Sequence, residues 1–286
     1  MKIAVLSGKG GTGKTTVSAC LAATLNSCQY LDCDVEEPNG ALFLKPQLEK
    51  VIPVKVLVPE VDPSRCTGCG KCAQVCQFHA LAAVKGTVLQ FSELCHHCGA
   101  CQLVCPEAAI HETEREIGVI EASGDQRFLQ GRLNIGEPVS VPIIRELKRQ
   151  IRTDLPVILD CPPGAACAVV QAIDGCDFCI LVTEPTPFGL HDVKIAIELV
   201  RKLGIPFGVV INKAMAGQRM IHEYCESNQV AVLLEIPYSR ELAANYSRGI
   251  LPVQDDLQWQ EQFRNLFSQV EEIIKADSER KIGTDM

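Results

Sequence analysis

A doubly wound α/β fold with a mostly parallel sheet is predicted by three features of the sequence. Short, nearly continuous apolar runs alternate with longer stretches of helical periodicity, as strands covered by helices on both faces require. A glycine-rich turn joins the first apolar run to the first helical stretch. Acidic residues stand at the ends of two other runs, on the edge where open α/β sheets gather their ligands. The chain has 286 residues, 47% of them hydrophobic and 22% charged, enough to bury a sizeable core.

In chain order, residues 3–6 read as a buried strand, residues 14–26 as a helix and residues 30–33 as a second strand. Later apolar runs predict strands at 156–159, 178–182, 207–211 and 230–234. Between them, residues 190–203 place Val193, Ile197 and Val200 on one helical face. Residues 61–112 break this rhythm with an internal repeat. Because the α/β pattern resumes afterwards, the repeat reads as an insertion, residues 60–112, into a core formed by 1–59 and 113–286. Residues 117–133, with a turn at Ser123-Gly124-Asp125, predict a hairpin returning to that core. Near the end, Trp259, Phe263, Leu266, Phe267, Val270 and Ile274 share a helical face with mixed charges opposite, which suits docking on the protein's own core.

Composition excludes several classes. The formal charge is −8, from 27 basic and 35 acidic side chains, which argues against a sequence-independent grip on nucleic acid. No stretch approaches the roughly 18 uninterrupted apolar residues of a membrane span. The opening MKIAVLSGKGG enters a strand at once, so we expect no secretory leader and a cytoplasmic location. Under those reducing conditions, 16 cysteines point to metal ligation or small buried hydrophobes instead of disulfides.

The turn reads Gly8-Lys9-Gly10-Gly11-Thr12-Gly13-Lys14-Thr15-Thr16, a phosphate-loop pattern between a strand and a helix. Such glycines let successive N–H groups face phosphates, and the helix N-terminus adds partial positive charge. Lys14 is expected at the β- and γ-phosphates of ATP, with the Thr15 hydroxyl on Mg²⁺. Asp32 and Asp34 follow the second strand, and Asp160 begins the string Asp160-Cys-Pro-Pro-Gly164 after another. Carboxylates there orient an attacking water or hold Mg²⁺ through its water shell.

With Lys9 in addition to Lys14, the loop resembles the deviant form found in the MinD/ParA/Mrp group of ATPases, which includes nitrogenase iron protein. The resemblance covers about residues 1–50 and 115–275. It implies that Lys9 reaches a partner subunit's nucleotide across a dimer, and that Asp34 positions the hydrolytic water. It further implies that Asp160 to Gly164 forms a second switch, that Asn212 lies beside adenine, and that Ile236, Pro237 and Tyr238 line the base.

The repeat places Cys66, Cys69, Cys72 and Cys76 in one copy and Cys95, Cys98, Cys101 and Cys105 in the other. Both read C-x2-C-x2-C-x3-C, the spacing of bacterial two-cluster ferredoxins, in which the fourth cysteine crosses to the other cluster. One [4Fe–4S] cluster is therefore expected on Cys66, Cys69, Cys72 and Cys105, and a second on Cys95, Cys98, Cys101 and Cys76. Zinc is the competing ligand, but four cysteines within 11 residues, twice, suit cubanes better than zinc ribbons. Pro106 follows Cys105 as in that pattern, whereas Gln77 follows Cys76. His96 and His97 are expected to support or face solvent, not to ligate. An insert this small cannot hold itself together by apolar burial, so the clusters must serve as its core.

Of the other cysteines, Cys20, Cys28, Cys167 and Cys225 are expected as packing residues on helices, with Cys33 and Cys161 turned away from the catalytic side. The Cys176/Cys179 pair reads as buried, with cluster sharing between subunits as the alternative. The whole resembles a ferredoxin-containing branch of the MinD superfamily. That implies an ATPase, as a homodimer or a heterodimer with a paralogue, in which nucleotide gates electron transfer to a redox partner. The alternative is a cluster or metal-cofactor carrier serving an accepting protein. A positioning protein is disfavoured by the absence of a basic amphipathic tail, and a redox sensor is a further possibility.

Overall fold

The structure, a computed structural model, describes residues 1–25 and 27–284, the last four of them as backbone. Strand β1 (Lys2–Leu6) runs into the glycine turn, and helix α1 (Lys14–Thr24) starts behind it. The helix expected over 14–26 thus ends at Thr24, and Asn26 lies outside the described residues. Next come β2 (Gln29–Asp32), the short α2 (Gly40–Leu44) and a long β3 (Leu48–Val61). The cysteine-rich stretch adds α3 (Lys71–Val75), the hairpin β4 (Leu81–Val84) and β5 (Thr87–Gln90), and α4 (Ala100–Leu103). β6 (Ile110–Ser123) and β7 (Phe128–Leu133) form the expected hairpin, and α5 (Val141–Lys148) follows. Then β8 (Val157–Asp160), α6 (Cys167–Ile173), β9 (Phe178–Thr183), α7 (Pro187–Lys202) and β10 (Phe207–Ala214) alternate. The chain closes with α8 (Met220–Ser227), β11 (Val232–Pro237), α9 (Arg240–Ser247) and α10 (Leu257–Thr284).

Among the described residues, nine strands form one sheet in the order β11-β10-β9-β1-β8-β2-β7-β6-β3. The seven from β11 to β7 run parallel, and β6 and β3 add an antiparallel edge. Successive strand residues face opposite layers. Leu6, Leu31, Leu159 and Leu181 pack under α5 to α8, while Ile3, Val5, Ile158 and Ile180 pack under α1 and α10. Register sets Asp32 beside Asp160 across β2 and β8, at the edge where the glycine turn leaves β1.

The sequence reading missed β3. Its residues alternate in burial and include Pro53 and Pro59, tolerable only where one side of the strand lacks a ladder. The ladder joining β3 to β6 runs from Leu48 opposite Ser123 to Val61 opposite Ile110, through the expected boundaries at 59/60 and 112/113. Asp62 N–H donates to the Ala109 carbonyl at 2.7 Å and closes the ribbon. Residues 62–109 therefore stand at the far end of an antiparallel stalk belonging to the main sheet.

Candidate functional site

Beyond the C-terminal edge of the strands lies a cavity of about 840 Å³, walled by the glycine turn, the start of α1 and the segment after β2. Gly10, Gly11, Gly13, Thr15 and Thr16 line it. Gly13 sits at φ 93°, and a Cβ there would meet the Asn212 amide nitrogen at 2.1 Å, so this position needs glycine twice over.

Lys14 is buried at the root of the loop. Its Nζ donates to Asp160 Oδ1 at 2.7 Å and lies 3.4 Å from Asp34 Oδ2. Burial opposes its charge, but Asp160 and Asp34 outweigh that and hold the ammonium above its usual range. Asp160 is fully buried and also accepts from Tyr30 Oη at 3.2 Å, with Tyr30 itself 3.0 Å from Ser18 Oγ. Asp32 accepts from the amides of Asp34 at 3.1 Å and Gly40 at 2.8 Å, bracing the segment between them. Burial, then the neighbouring Asp160 carboxylate, push Asp32 up to about 8. Burial raises Asp34 to about 6 against the pull of Lys14. Three carboxylates thus converge on one buried lysine beside the phosphate-loop backbone.

The remaining expected residues are placed as follows. Asn212 and Pro237 line the cavity, but the Asn212 amide donates to the Thr12 carbonyl at 2.7 Å, clamping the loop. The Thr12 hydroxyl is buried without a partner. Gly164 sits at φ 93° and donates its N–H to the Ser7 carbonyl at 2.8 Å. Lys9 points to its own chain, with Nζ 2.5 Å from Glu184 Oε1. Lys213 Nζ takes the other oxygen at 3.2 Å and donates to the Gly11 carbonyl at 2.8 Å. Burial would raise Glu184, but the two lysines prevail and hold its carboxyl below the usual range.

The far wall went unread in the sequence. Tyr246, Trp259 and Phe263, from α9 and α10, line the cavity opposite the loop. The helical spacing of Trp259 and Phe263 showed that the face is buried, but not that its first turns border a ligand cavity.

The eight repeat cysteines ring two further cavities. Cys66, Cys69, Cys72 and Cys105 line one, and Cys76, Cys95, Cys98 and Cys101 line the other. In each cavity three cysteines come from one copy and the fourth from the other. Amide N–H groups aim at sulfur: Ala80 at Cys76 Sγ (3.3 Å), His97 at Cys95 Sγ (3.4 Å) and Ala109 at Cys105 Sγ (3.3 Å). Gly68, Gly70 and Gly99 adopt left-handed φ angles, and a Cβ on Gly68 would strike the Gly86 carbonyl at 2.1 Å. Burial raises Cys101 to about 11. Among the described residues, no three His, Cys, Asp or Glu side chains close tightly enough for a single metal ion.

The cavities differ in position. The second borders Leu57, Pro59 and Glu112 on the stalk, and its Cys95 belongs to the main core; the first sits further out, beside Val61 and Ile110. His96 stacks on Phe78 with ring centroids 3.7 Å apart. Both ring nitrogens of His97 are buried, beside the Leu57 backbone and near the Arg115–Glu137 pair, whose two contacts are 2.5 and 2.7 Å.

Of the other cysteines, Cys20 and Cys225 are buried on helices as expected, and Cys33, Cys161, Cys176 and Cys179 are buried too. Two expectations need correction. Cys28 precedes β2 instead of lying on a helix, and Cys167 opens α6 exposed, because the face of that short helix that packs inward carries Val169, Ala172 and Ile173.

A family model described as the CobQ/CobB/MinD/ParA nucleotide binding domain matches residues 3–253. Among curated proteins, two uncharacterized proteins of Methanocaldococcus jannaschii are 32% identical over 264 residues (87% of this chain, 90% of the relative) and 30% over 282 (96% and 98%). An iron–sulfur cluster carrier protein of Methanococcus maripaludis is 24% identical over 300 residues, covering 96% of this chain and 86% of the relative. In fold, the chain resembles the Pyrococcus horikoshii septum site-determining protein MinD, solved with Mg-ADP, at TM-score 0.57 and 17% identity over 96% of this chain and 98% of that one. With its strand–glycine loop–helix and converging carboxylates, the chain belongs to the CobQ/CobB/MinD/ParA nucleotide-binding family.

Proposed function

We propose that the chain is a Mg²⁺-dependent ATPase whose nucleotide state gates electron transfer through two [4Fe–4S] clusters held by residues 62–109. The observation that carries this reading is the sorting of eight cysteines into two cavities of four, each with one cysteine crossing from the other copy. Four thiols, amides aimed at sulfur and tight glycine loops fit a cubane and leave no corner without a protein ligand. Bound clusters would supply one-electron chemistry near the stalk.

The chain's own residues divide the rest of the work. The Gly10–Thr16 backbone and Lys14 bind phosphate, and the Thr15 hydroxyl, with Asp34 and Asp160 through water, would hold Mg²⁺. Asp34 orients the attacking water, and Lys9 serves a partner subunit's nucleotide in a dimer. The segment carrying Asp34 touches the stalk's neighbour strand: the Val35 carbonyl accepts from the Leu133 N–H at 2.8 Å, at the end of β7. Movement at Asp34 thereby has a short route to β6, on which the insert is mounted.

Delivery of a cluster to an acceptor protein is the second reading, favoured by the printed name of the Methanococcus relative. Against it, Cys176 and Cys179 are both buried and offer no exposed pair for sharing a cluster.

The test is anaerobic. Isolated protein should contain about eight iron and eight sulfide per chain, and ATP should shift the reduction potential or the electron-transfer rate. Zinc in place of iron would sink the cluster assignment. An ATP effect confined to transfer of iron and sulfide to an apo-acceptor would select the carrier reading. Lys9→Ala should retain ATP binding and lose turnover; normal turnover would remove Lys9 from the mechanism.

A further inference from the structure

We propose that Glu184 is a resident competitor for nucleotide phosphate, a positioning residue that holds Lys9 and Lys213 against the phosphate loop until a phosphate chain takes them. The inference rests on the nucleotide-binding part of the reading above and is independent of the cluster part.

Asp34 and Asp160 have Mg²⁺ and water to serve, whereas Glu184 has no such role in the proposed mechanism and its charge repels the ligand the loop is built for. Here one carboxylate is divided between two ammonium groups, with Lys9 on Oε1 at 2.5 Å and Lys213 on Oε2 at 3.2 Å. Both lysines belong to the loop's surroundings. Lys9 lies within the loop, and Lys213 Nζ is fixed at 2.8 Å to the Gly11 carbonyl while its backbone sits at φ 55°, a left-handed angle that side-chain-bearing residues seldom take. Lys213 also lines the nucleotide cavity.

Glu184 is itself held in place. It follows β9 directly, and its carbonyl lies where a Cβ on Gly189 would be, 2.1 Å away. Gly8, in the loop, has the same closeness to the Asp192 carbonyl at 2.4 Å. The Glu184–Asp192 segment is thus folded tightly on itself at Gly189 and meets the phosphate loop closely at Gly8. The carboxylate it presents is only 16% exposed, while the two lysines stay partly in solvent and can be drawn away by a stronger anion. A triphosphate in the cavity brings several negative charges to Lys213, and a partner subunit's triphosphate brings them to Lys9, so both compete with Glu184. Adenosine brings none. Glu184 therefore lowers affinity in proportion to phosphate charge and leaves nucleoside recognition alone.

The experiment titrates the full-length protein with adenosine, ADP and a non-hydrolysable ATP analogue, comparing wild type with Glu184→Gln. The variant should bind the triphosphate about fivefold more tightly and ADP by a smaller factor, with adenosine unchanged. In turnover, KM for ATP should fall by more than kcat changes. Weaker triphosphate binding, or an equal gain for adenosine, would overturn the proposal and make Glu184 a structural brace. If Glu184→Gln does not fold, Glu184→Asp should give an intermediate gain, its shorter carboxylate reaching one lysine; no gain there counts against the proposal. A wild type that binds none of the nucleotides defeats the nucleotide reading, whereas one that binds them with affinities unaltered by the substitution defeats this inference alone.

Discussion

Lys14 stands among Asp160, Asp34 and Asp32, and this unequal ratio governs what single substitutions do. Removing its charge by Lys14→Ala should abolish nucleotide affinity, because no other ammonium sits at the root of the loop among the described residues. The same change strands a fully buried Asp160 and should cost about 3 kcal/mol in urea unfolding. Asp32 carries a pH effect. Its folded value near 8 exceeds the unfolded value, so the folded state keeps a proton that the unfolded state gives up. Such a group stabilises most below its unfolded pKa and loses that contribution as pH rises towards 8. Between pH 6 and 8, above the value of Asp34, nucleotide-free protein should therefore lose stability to urea as pH rises. Asp32→Asn should flatten that slope, and an unchanged slope would remove Asp32 as its source. The phosphate loop and its two acidic strand ends were legible in the sequence because they are contiguous strings at strand ends. Glu184 was not, since an isolated acid in a loop acquires meaning only from the lysines folded against it.

At the scale of elements, α10 does two things that one substitution each can separate. Phe263 and Val270 are both fully buried on its inner face, but only Phe263 borders the nucleotide cavity. Phe263→Ala should cost about 4 kcal/mol and weaken ATP binding. Val270→Ala should lower stability while leaving affinity unchanged, and a matched loss of affinity would show that the helix acts on the site only through global stability. The periodicity of this helix announced a buried face, but periodicity reports that a face is covered and not what else shares its cover. β3 was hidden for a different reason. Its alternating, proline-bearing sequence lacks the continuous apolar run of the central strands, because an edge strand in an antiparallel pair buries one face.

For the whole molecule, residues 62–109 and the main sheet should come apart energetically. Apart from side chains shared with the main core, residues 62–109 put only Cys72 and Leu81 into a small buried apolar cluster, together with Ile110 of the stalk. That is too little to offset the chain entropy of nearly fifty residues. Stripping the iron of the proposed clusters with a chelator should therefore abolish amide-exchange protection across 62–109, while β1, β8 and β9 stay protected and ATP still binds. An insert that stays protected without metal would contradict the proposed role of the clusters as its core.

Sequence alone determined whatever is written in short-range spacing: the strand–loop–helix of the nucleotide site, the two cysteine repeats, and the alternation that builds a parallel sheet. These follow from backbone geometry over a few residues, which adjacent side chains report directly. Tertiary structure decided the rest. It placed residues 62–109 at the end of a stalk continuous with the sheet, buried Cys176 and Cys179, exposed Cys167, and turned Lys9 toward Glu184. Each of those outcomes depends on which distant segments meet, and burial and charge pairing are properties of that meeting.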